Sequence, residues 1–266
     1  MDGVLLRPNA EEFIYVQANG DFLNWAAAHN QCYEATIEDF DSWVLQVQGP
    51  TSLQVLQDVA GISETELTYY GVIETEIVGQ PFIISRSGWT GERGFEIYSR
   101  GSNFDGTALW SELLRVGEPA GLIASDVSSM HVRRIEAGIL DYGTDIDQTL
   151  NPYQIGLGRL VHLQKRDFVG KSALQSTNHK DLLLTGIRAE RYTPERQNLL
   201  YRPDGQVAGW VTAGAYSYSL NCGIGFARLS QPLDVGTELL IGTERDKAPC
   251  KITELPFLDP ERRLVR

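Results

Sequence analysis

The sequence predicts an α+β chain that ends in a small antiparallel β-barrel. From Leu182 onward short strand-like runs recur at near-regular spacing: LLLTGIRA, NLLYRP, GQVAGWVTAG, GIGFARL, GTELLIG and CKITELPF. Turn-forming residues separate them, as in a closed all-β unit. Ahead of Leu182, strand alternation is interleaved with runs whose apolar residues fall three or four apart, the pattern of strands packed on helices. The 266 residues are 42% apolar and 22% charged, enough for two packed cores and unlike a disordered chain. A change of composition near Asn178 to Lys180 divides the chain into an α/β region, residues 1–178, and a barrel region, residues 179–266.

Val4-Leu5-Leu6 and Phe13-Ile14-Tyr15-Val16 read as two strands around a polar turn, Pro8 to Glu12. A chain that opens on a strand in need of partners leads us to expect a further section ahead of Met1. Between Asp21 and Asn30, Phe22, Trp25, Ala26 and His29 fall at helical spacing. Ser42 to Gln48 alternates Trp43, Leu45 and Val47 in strand fashion, and Gly49-Pro50 then turns the chain into a helix from Thr51 to Val59. Thr51 or Ser52 suits its N-cap, with Leu53, Val55 and Leu56 inward. Ile73 to Val78 and Gln80 to Arg86 suggest a hairpin, and Phe95 to Ser99 a further strand after a glycine-rich loop. Phe104 to Val116 is amphipathic, with Leu109, Trp110, Leu113 and Leu114 on one side; Ser125 or Asp126 caps a helix that runs to about Ala137, with Val127, Met130, Arg134 and Ile135 along it. Thr144 to Gly158 is a long turn-rich connection, of a length that in compact proteins tends to serve function.

The bulk numbers exclude several classes. A formal charge of −12 and a pI near 4.8 disfavour nucleic acid, whose binding rests on counterion release by Lys and Arg. The longest apolar run, IGLGRLVHL, is far short of a bilayer span, and Met1-Asp2 opens without a basic or apolar leader. No membrane association and a cytoplasmic location are therefore expected. Cys32, Cys222 and Cys250 are odd in number and widely spaced, and the four histidines share no ligand spacing, so reduced thiols and no metal site are expected. Neither GxGxxG opening a helix nor GxxxxGK[ST] nor GxSxG occurs.

Two stretches could carry chemistry. Ser85-Arg86-Ser87-Gly88-Trp89-Thr90-Gly91-Glu92-Arg93-Gly94-Phe95-Glu96-Ile97 holds three glycines within seven residues, an aromatic ring inside the loop and a carboxylate on the strand after it. Spacing alone fits an ordinary glycine-rich hairpin at least as well as a pocket. As a pocket, the glycines would adopt positive φ and approach a ligand closely. A carboxylate accepts two parallel hydrogen bonds from an amino-pyrimidine edge, Trp89 offers a flat apolar face, and a pterin presents both partners. The second stretch is Arg133-Arg134-Ile135-Glu136-Ala137-Gly138 with Leu140-Asp141-Tyr142-Gly143-Thr144-Asp145-Ile146-Asp147. Its carboxylates do not fit a calcium loop. Structural pairs at a helix end remain open beside one wall of a cavity including Arg134 and Tyr142.

Gly88-Trp89-Thr90-Gly91-Glu92-Arg93-Gly94-Phe95-Glu96-Ile97 resembles the Gly-Tyr-Thr-Gly-Glu-x-Gly-Phe-Glu-Ile loop of the glycine cleavage T-protein (aminomethyltransferase) family. Arg134-Ile135-Glu136-Ala137-Gly138, Tyr142-Gly143-Thr144-Asp145, Asn151-Pro152-Tyr153, Gly156-Leu157-Gly158 and Asp167-Phe168-Val169-Gly170-Lys171 are similar to its later signatures, in the same order. Gly209-Trp210-Val211-Thr212-Ala213-Gly214 is similar to the Gly-x-Val-Thr-Ser-Gly stretch of its C-terminal barrel. The likeness covers essentially the whole chain.

The resemblance implies folate-binding α/β domains followed by a barrel, and transfer of a one-carbon unit to N5 of tetrahydrofolate. It implies Asp2 as the catalytic carboxylate, Glu96 on the pterin edge, Trp89 stacked in place of the usual Tyr, and Gln17 or Asn19 near the family's pocket Asn. Ser125 stands where the family has a folate-tail arginine, which leaves Arg133 or Arg134 to compensate. Ser128-Ser129-Met130-His131 are extra residues relative to the glycine cleavage enzyme and resemble the demethylase-type relatives, such as dimethylsulfoniopropionate demethylase. The implied partners are a small methylated or aminomethylated substrate and a lipoyl carrier protein, with no metal. A folate-binding module without turnover is the rival of a different class.

Overall fold

The chain begins with an antiparallel hairpin, β1 (Gly3–Leu6) and β2 (Ile14–Gln17), in which Val4 faces Val16 and Leu6 faces Ile14 across the ladder. Its turn is held by Asn9, whose side-chain oxygen accepts from the N–H groups of Glu11 and Glu12, both at 3.0 Å. The coordinates are a computed structural model that describes residues 2–17, 19–179, 181–243 and 246–265. Helix α1 (Phe22–His29) follows, capped by the Asp21 carboxylate on the Asn24 N–H.

Strand β3 (Val44–Gln48) then leads through Gly49-Pro50 into helix α2 (Ser52–Ala60), which Gly61 closes in the left-handed conformation. Thr51 sits at the cap position without a side-chain cap bond. Strands β4 (Val72–Ile77) and β5 (Gln80–Ser85) form a tight hairpin whose two-residue turn, Val78-Gly79, has positive φ at both positions, the geometry that matches strand twist. Strand β6 (Gly94–Ser99) and helix α3 (Gly106–Gly117), capped by Asp105, complete this part. The sheet order is β3-β6-β5-β4 and every pairing is antiparallel. The strand, Gly-Pro, helix pattern expected from sequence is present, but with no parallel neighbour; α2 and α3 bury Val55, Leu56, Leu109 and Leu113 on one sheet face with Val47, Phe82, Ile84, Phe95 and Ile97. The opposite face, through Ile83 and Tyr98, packs on Val4, Leu6, Ile14 and Val16 of the first hairpin.

Two large side chains depart from the expected apolar faces. Trp43 is 65% exposed and Trp110 42% exposed, because each stands at the end or flank of its element while Val47 and Leu109 occupy the enclosed positions. Val127 is likewise exposed at the first turn of helix α4 (Val127–Glu136), whose buried residues are Arg134, Ile135 and Glu136.

After α4 the chain runs in turns, with one isolated bridge between Tyr142 and Ile146, to helix α5 (Lys171–Ser176). The remainder is β7 (Leu184–Ala189), β8 (Leu199–Tyr201), β9 (Val207–Ser217), β10 (Cys222–Leu229), β11 (Glu238–Gly242) and β12 (Lys247–Thr253). They close as an antiparallel barrel in the order β10-β7-β12-β11-β8-β9. Each of the six sequence runs contributes one strand. Closure leaves no free sheet edge in that unit.

By packing, the chain separates into Met1–Met130 with Glu261–Arg266, and His131–Pro260. This partition differs from the composition change near 178–180, of which Lys180 lies outside the described residues. The physical reason is the segment after Met130: Glu136 bonds to Ser217, and Asp145 to Thr212, both in β9. No helix among the described residues is long and apolar enough to cross a membrane.

Candidate functional site

Alternation along β6 buries Phe95 and Ile97 in the core and turns Glu96 to the other face of the sheet. Register places Gln46 of β3 and Ser85 of β5 directly across from it. Three donors converge on the carboxylate: Gln46 Nε2 on Oε1 at 2.8 Å, Tyr98 Oη on Oε2 at 2.9 Å, and the Ser87 hydroxyl on Oε2. Ser85 Oγ is hydrogen-bonded to Ser87 Oγ at 2.9 Å. Burial, together with the Glu96 charge, pushes the Tyr98 phenol far above its ordinary range, so it stays a donor. The carboxylate is thus half-buried and fixed in direction, with one acceptor site, on Oε1, beyond those its three donors use.

The loop before β6 departs from its expected construction. Of Gly88, Gly91 and Gly94 only Gly91 has positive φ, at 72°. At Gly88 and Gly94 the close neighbour is a side chain instead: a Cβ would lie 2.5 Å and 2.2 Å from the Gln48 amide, which would have to shift. Thr90 Oγ1 donates to Gln48 Oε1 at 2.7 Å and accepts the Glu92 N–H at 3.2 Å. Trp89, between these points, is half-buried.

Asp2 directly precedes β1 and is half-buried; burial raises its pKa above the ordinary 3.8, opposed by a hydrogen bond from the Gly3 backbone. The Tyr15 phenol is raised by burial and by the Asp2 charge, which places the two groups in one electrostatic neighbourhood. Gln17 donates through Nε2 to the Gly20 carbonyl at 2.9 Å, while its Oε1 is buried without a partner among the described residues. Asn19 is exposed and accepts the Gly20 N–H.

One residue that sequence reasoning passed over feels the charge of Glu96. Burial around its hydroxyl, the neighbouring Tyr69 hydroxyl and the Glu96 carboxylate push Tyr70 up to about 12, while much of the residue remains open to solvent and Arg262 opposes the rise. Tyr70 has a left-handed backbone, φ 59°, and its N–H donates to the Arg86 carbonyl at 3.0 Å. An aromatic pair ahead of a glycine, Tyr69-Tyr70-Gly71, was the available signal.

Arg134 is placed differently from the expectation of a tail-binding cation. It is 1% exposed, donates to Asp145 Oδ2 at 2.6 Å and to the Ile139 carbonyl at 3.2 Å, and stacks over Phe226 with 5.7 Å to the ring centroid. Asp145 also accepts from Thr212 Oγ1 at 2.7 Å and the Asp141 N–H at 2.9 Å. A guanidinium so enclosed serves packing, and the alternative of structural pairs at the helix end describes this stretch. Arg133, itself exposed, pairs with the buried Glu136 at 3.1 Å. Tyr142 is half-buried, against Ile135, Leu140 and Ile146. The extra residues Ser128 to His131 form the start of α4, where the Asp126 carboxylate accepts the Ser128 N–H at 3.0 Å. Asp2, Gln17, Asn19, Trp89 and Glu96 belong to the first packing unit, Arg134 and Tyr142 to the second.

Two family models match: the GCVT N-terminal domain over residues 1–165 and the glycine cleavage T-protein C-terminal barrel domain over residues 183–259. Among curated relatives, the aminomethyltransferase of Thermosipho melanesiensis is 33% identical over 240 residues, covering 88% of this chain and 64% of the relative. That of Streptomyces coelicolor is 34% identical over 229 residues, covering 83% and 61%. The crystal structure of glycine cleavage system aminomethyltransferase T from Bartonella henselae matches with a TM-score of 0.80 at 24% identity, over 92% of this chain and 67% of that one, and supports the fold. The chain spans a little under two thirds of the length of these curated relatives. With both domain models matched in order over most of its residues, the chain belongs to the glycine cleavage T-protein family.

Proposed function

We propose that the chain is a tetrahydrofolate-dependent one-carbon transferase, in which the carbon of an aminomethyl group passes to folate while the carrier thiol and ammonia leave. The observation that carries this reading is the Glu96 carboxylate, directed by Gln46, Ser87 and Tyr98. A 2-amino-4-oxo-pyrimidine edge offers two adjacent N–H donors, one for the acceptor site left on Oε1 and one for Oε2 once the Ser87 hydroxyl turns to Ser85 Oγ. Trp89 and Tyr70 supply aromatic faces for the ring. When bound, tetrahydrofolate supplies the nucleophilic nitrogen that takes up the one-carbon unit.

The rest is orientation and electrostatics from this chain's own residues. Glu96 fixes the ring edge. Asp2, its pKa raised by burial, is a better proton acceptor than a free aspartate and would polarise the folate nitrogen. Gln17 sits on the strand paired with Gly3, next to Asp2. Arg262, which acts electrostatically on Tyr70, offers a cation for the folate carboxylate tail where Ser125 does not. The aminomethyl donor would arrive on a lipoyl carrier protein, and a cytoplasmic location fits such a reaction. Calorimetric titration with tetrahydrofolate, followed by transfer assays on an aminomethyl-lipoyl carrier and a panel of small S-, N- and O-methyl donors, tests the reading. Binding with turnover on the carrier supports it, turnover on a methyl donor alone moves it to the demethylase branch, and binding without turnover on any donor leaves a folate-binding module.

A further inference from the structure

We infer that Gln48 is a positioning residue of the Glu96 site: its amide is the post on which the loop 88–94 is hung, and so sets the place of Trp89. Gln48 ends β3 and pairs with Gly94, the first residue of β6. The far end of the loop is pinned by main chain, Gly49 N–H to the Arg93 carbonyl at 2.8 Å. Arg93 N–H also donates to the Leu264 carbonyl at 2.7 Å, and at Thr90 a side-chain bond ties the loop to β3. Thr90 accepts from Glu92 N–H and gives its single hydroxyl proton to Gln48 Oε1, so Glu92, Thr90 and Gln48 form one directed chain of hydrogen bonds. Gly88 and Gly94 have backbone conformations open to any residue, and what excludes a Cβ at both is the Gln48 amide. The Gln48 amide keeps its place between the two glycines only while neither carries a Cβ.

That side chain is an odd choice for stability alone. Gln48 Nε2 is buried with no partner among the described residues, a cost that an apolar side chain of similar size would avoid. What the amide adds over leucine is the acceptor for Thr90, and Thr90 adjoins Trp89. The connection to ligand rests on the folate reading above; the connection to the loop does not.

The test uses the whole chain labelled with 5-fluorotryptophan. Its five tryptophans give separate 19F resonances, and Trp89→Phe identifies that of Trp89. Gln48→Leu and Thr90→Val should each move the Trp89 resonance by more than its linewidth, the double variant no further than either, and Thr90→Ser should restore the native position. Gly94→Ala, which displaces the amide, should act like Gln48→Leu. The thermal midpoint of Gln48→Leu should stay near native, since an unpartnered donor is removed with the acceptor. In parallel, tetrahydrofolate affinity should fall about tenfold in Gln48→Leu and Thr90→Val, the cost of losing preorganisation. A Trp89 resonance unmoved in both variants overturns the inference, as does undiminished folate affinity in both. A moved resonance in a chain that binds no folate upholds the role of Gln48 and removes the functional reading instead.

Discussion

The burial of Arg134 against Asp145 sets a measurable cost for breaking the pair. Its side chain is 1% exposed and that of Asp145 is 0% exposed, with 2.6 Å between Nη1 and Oδ2. Arg134→Met leaves the Asp145 carboxylate buried with two neutral donors, Thr212 and the Asp141 N–H, and no cation. Breaking a buried pair from one side costs about 3–5 kcal/mol. For a unit of about 130 residues, an unfolding entropy of roughly 2.1 cal/mol/K per residue converts this to a fall in Tm of about 11–18 °C. Arg134→Met with Asp145→Leu removes both charges and should recover part of the loss. Recovery stays incomplete because Thr212 and the Asp141 N–H lose an acceptor at about 1–3 kcal/mol each. Calorimetric melting of the two single variants and the double variant, read as a double-mutant cycle, measures the coupling. A loss below about 1 kcal/mol in Arg134→Met, with weakened folate affinity in its place, would refute the packing role.

Two further expectations concern titration and thiol chemistry. Folding raises the Asp2 pKa, so the folded chain binds the proton more tightly than the unfolded one; this contribution favours folding below the ordinary value near 3.8 and is lost as pH rises through the higher folded value. Asp2→Asn should therefore raise Tm at pH 7 relative to its effect at pH 3 while lowering any transfer activity, and equal shifts at both pH values would contradict the burial argument. Cys32 is exposed, whereas Cys222 and Cys250 are buried and burial pushes the Cys250 thiol up to about 12. A thiol reagent at pH 8 should label one cysteine quickly in the native chain and three after denaturation; rapid native labelling of three would show the barrel thiols accessible.

Local patterning carried the elements far. Short strand-like runs set apart by turn residues marked the six barrel strands, and the apolar spacing of Leu109 and Leu113 marked α3 because one stripe is enclosed. What alternation does not contain is register. Gln46 meets Glu96 across fifty positions of chain, and Thr212 meets Asp145 across sixty-seven; those encounters depend on which strands pair and on how a turn-rich segment lies on β9. Arg134 consequently looked like a cation near a helix end and is an enclosed partner of Asp145. The glycines of the 88–94 loop were visible, but their neighbour was not: a lone Gln48 forty positions earlier does not announce that its amide lies against two of them. Glu96 and Trp89 were legible through motif, while Tyr70 was obscured because a left-handed tyrosine looks like any other in sequence.

The central claim is that Glu96 reads the pyrimidine edge of a reduced folate. Calorimetric titration of tetrahydrofolate into the wild-type chain and into Glu96→Ala tests it most directly, with Tm recorded for both. Only the bond to the acceptor site left on Oε1 is a net gain, worth about 1.5–3 kcal/mol, so affinity should fall by roughly ten- to a hundredfold, with Tm lowered as Gln46, Ser87 and Tyr98 lose an acceptor but folding retained on a residue that is only half-buried. Equal affinity in the two chains, with both folded, would contradict the account.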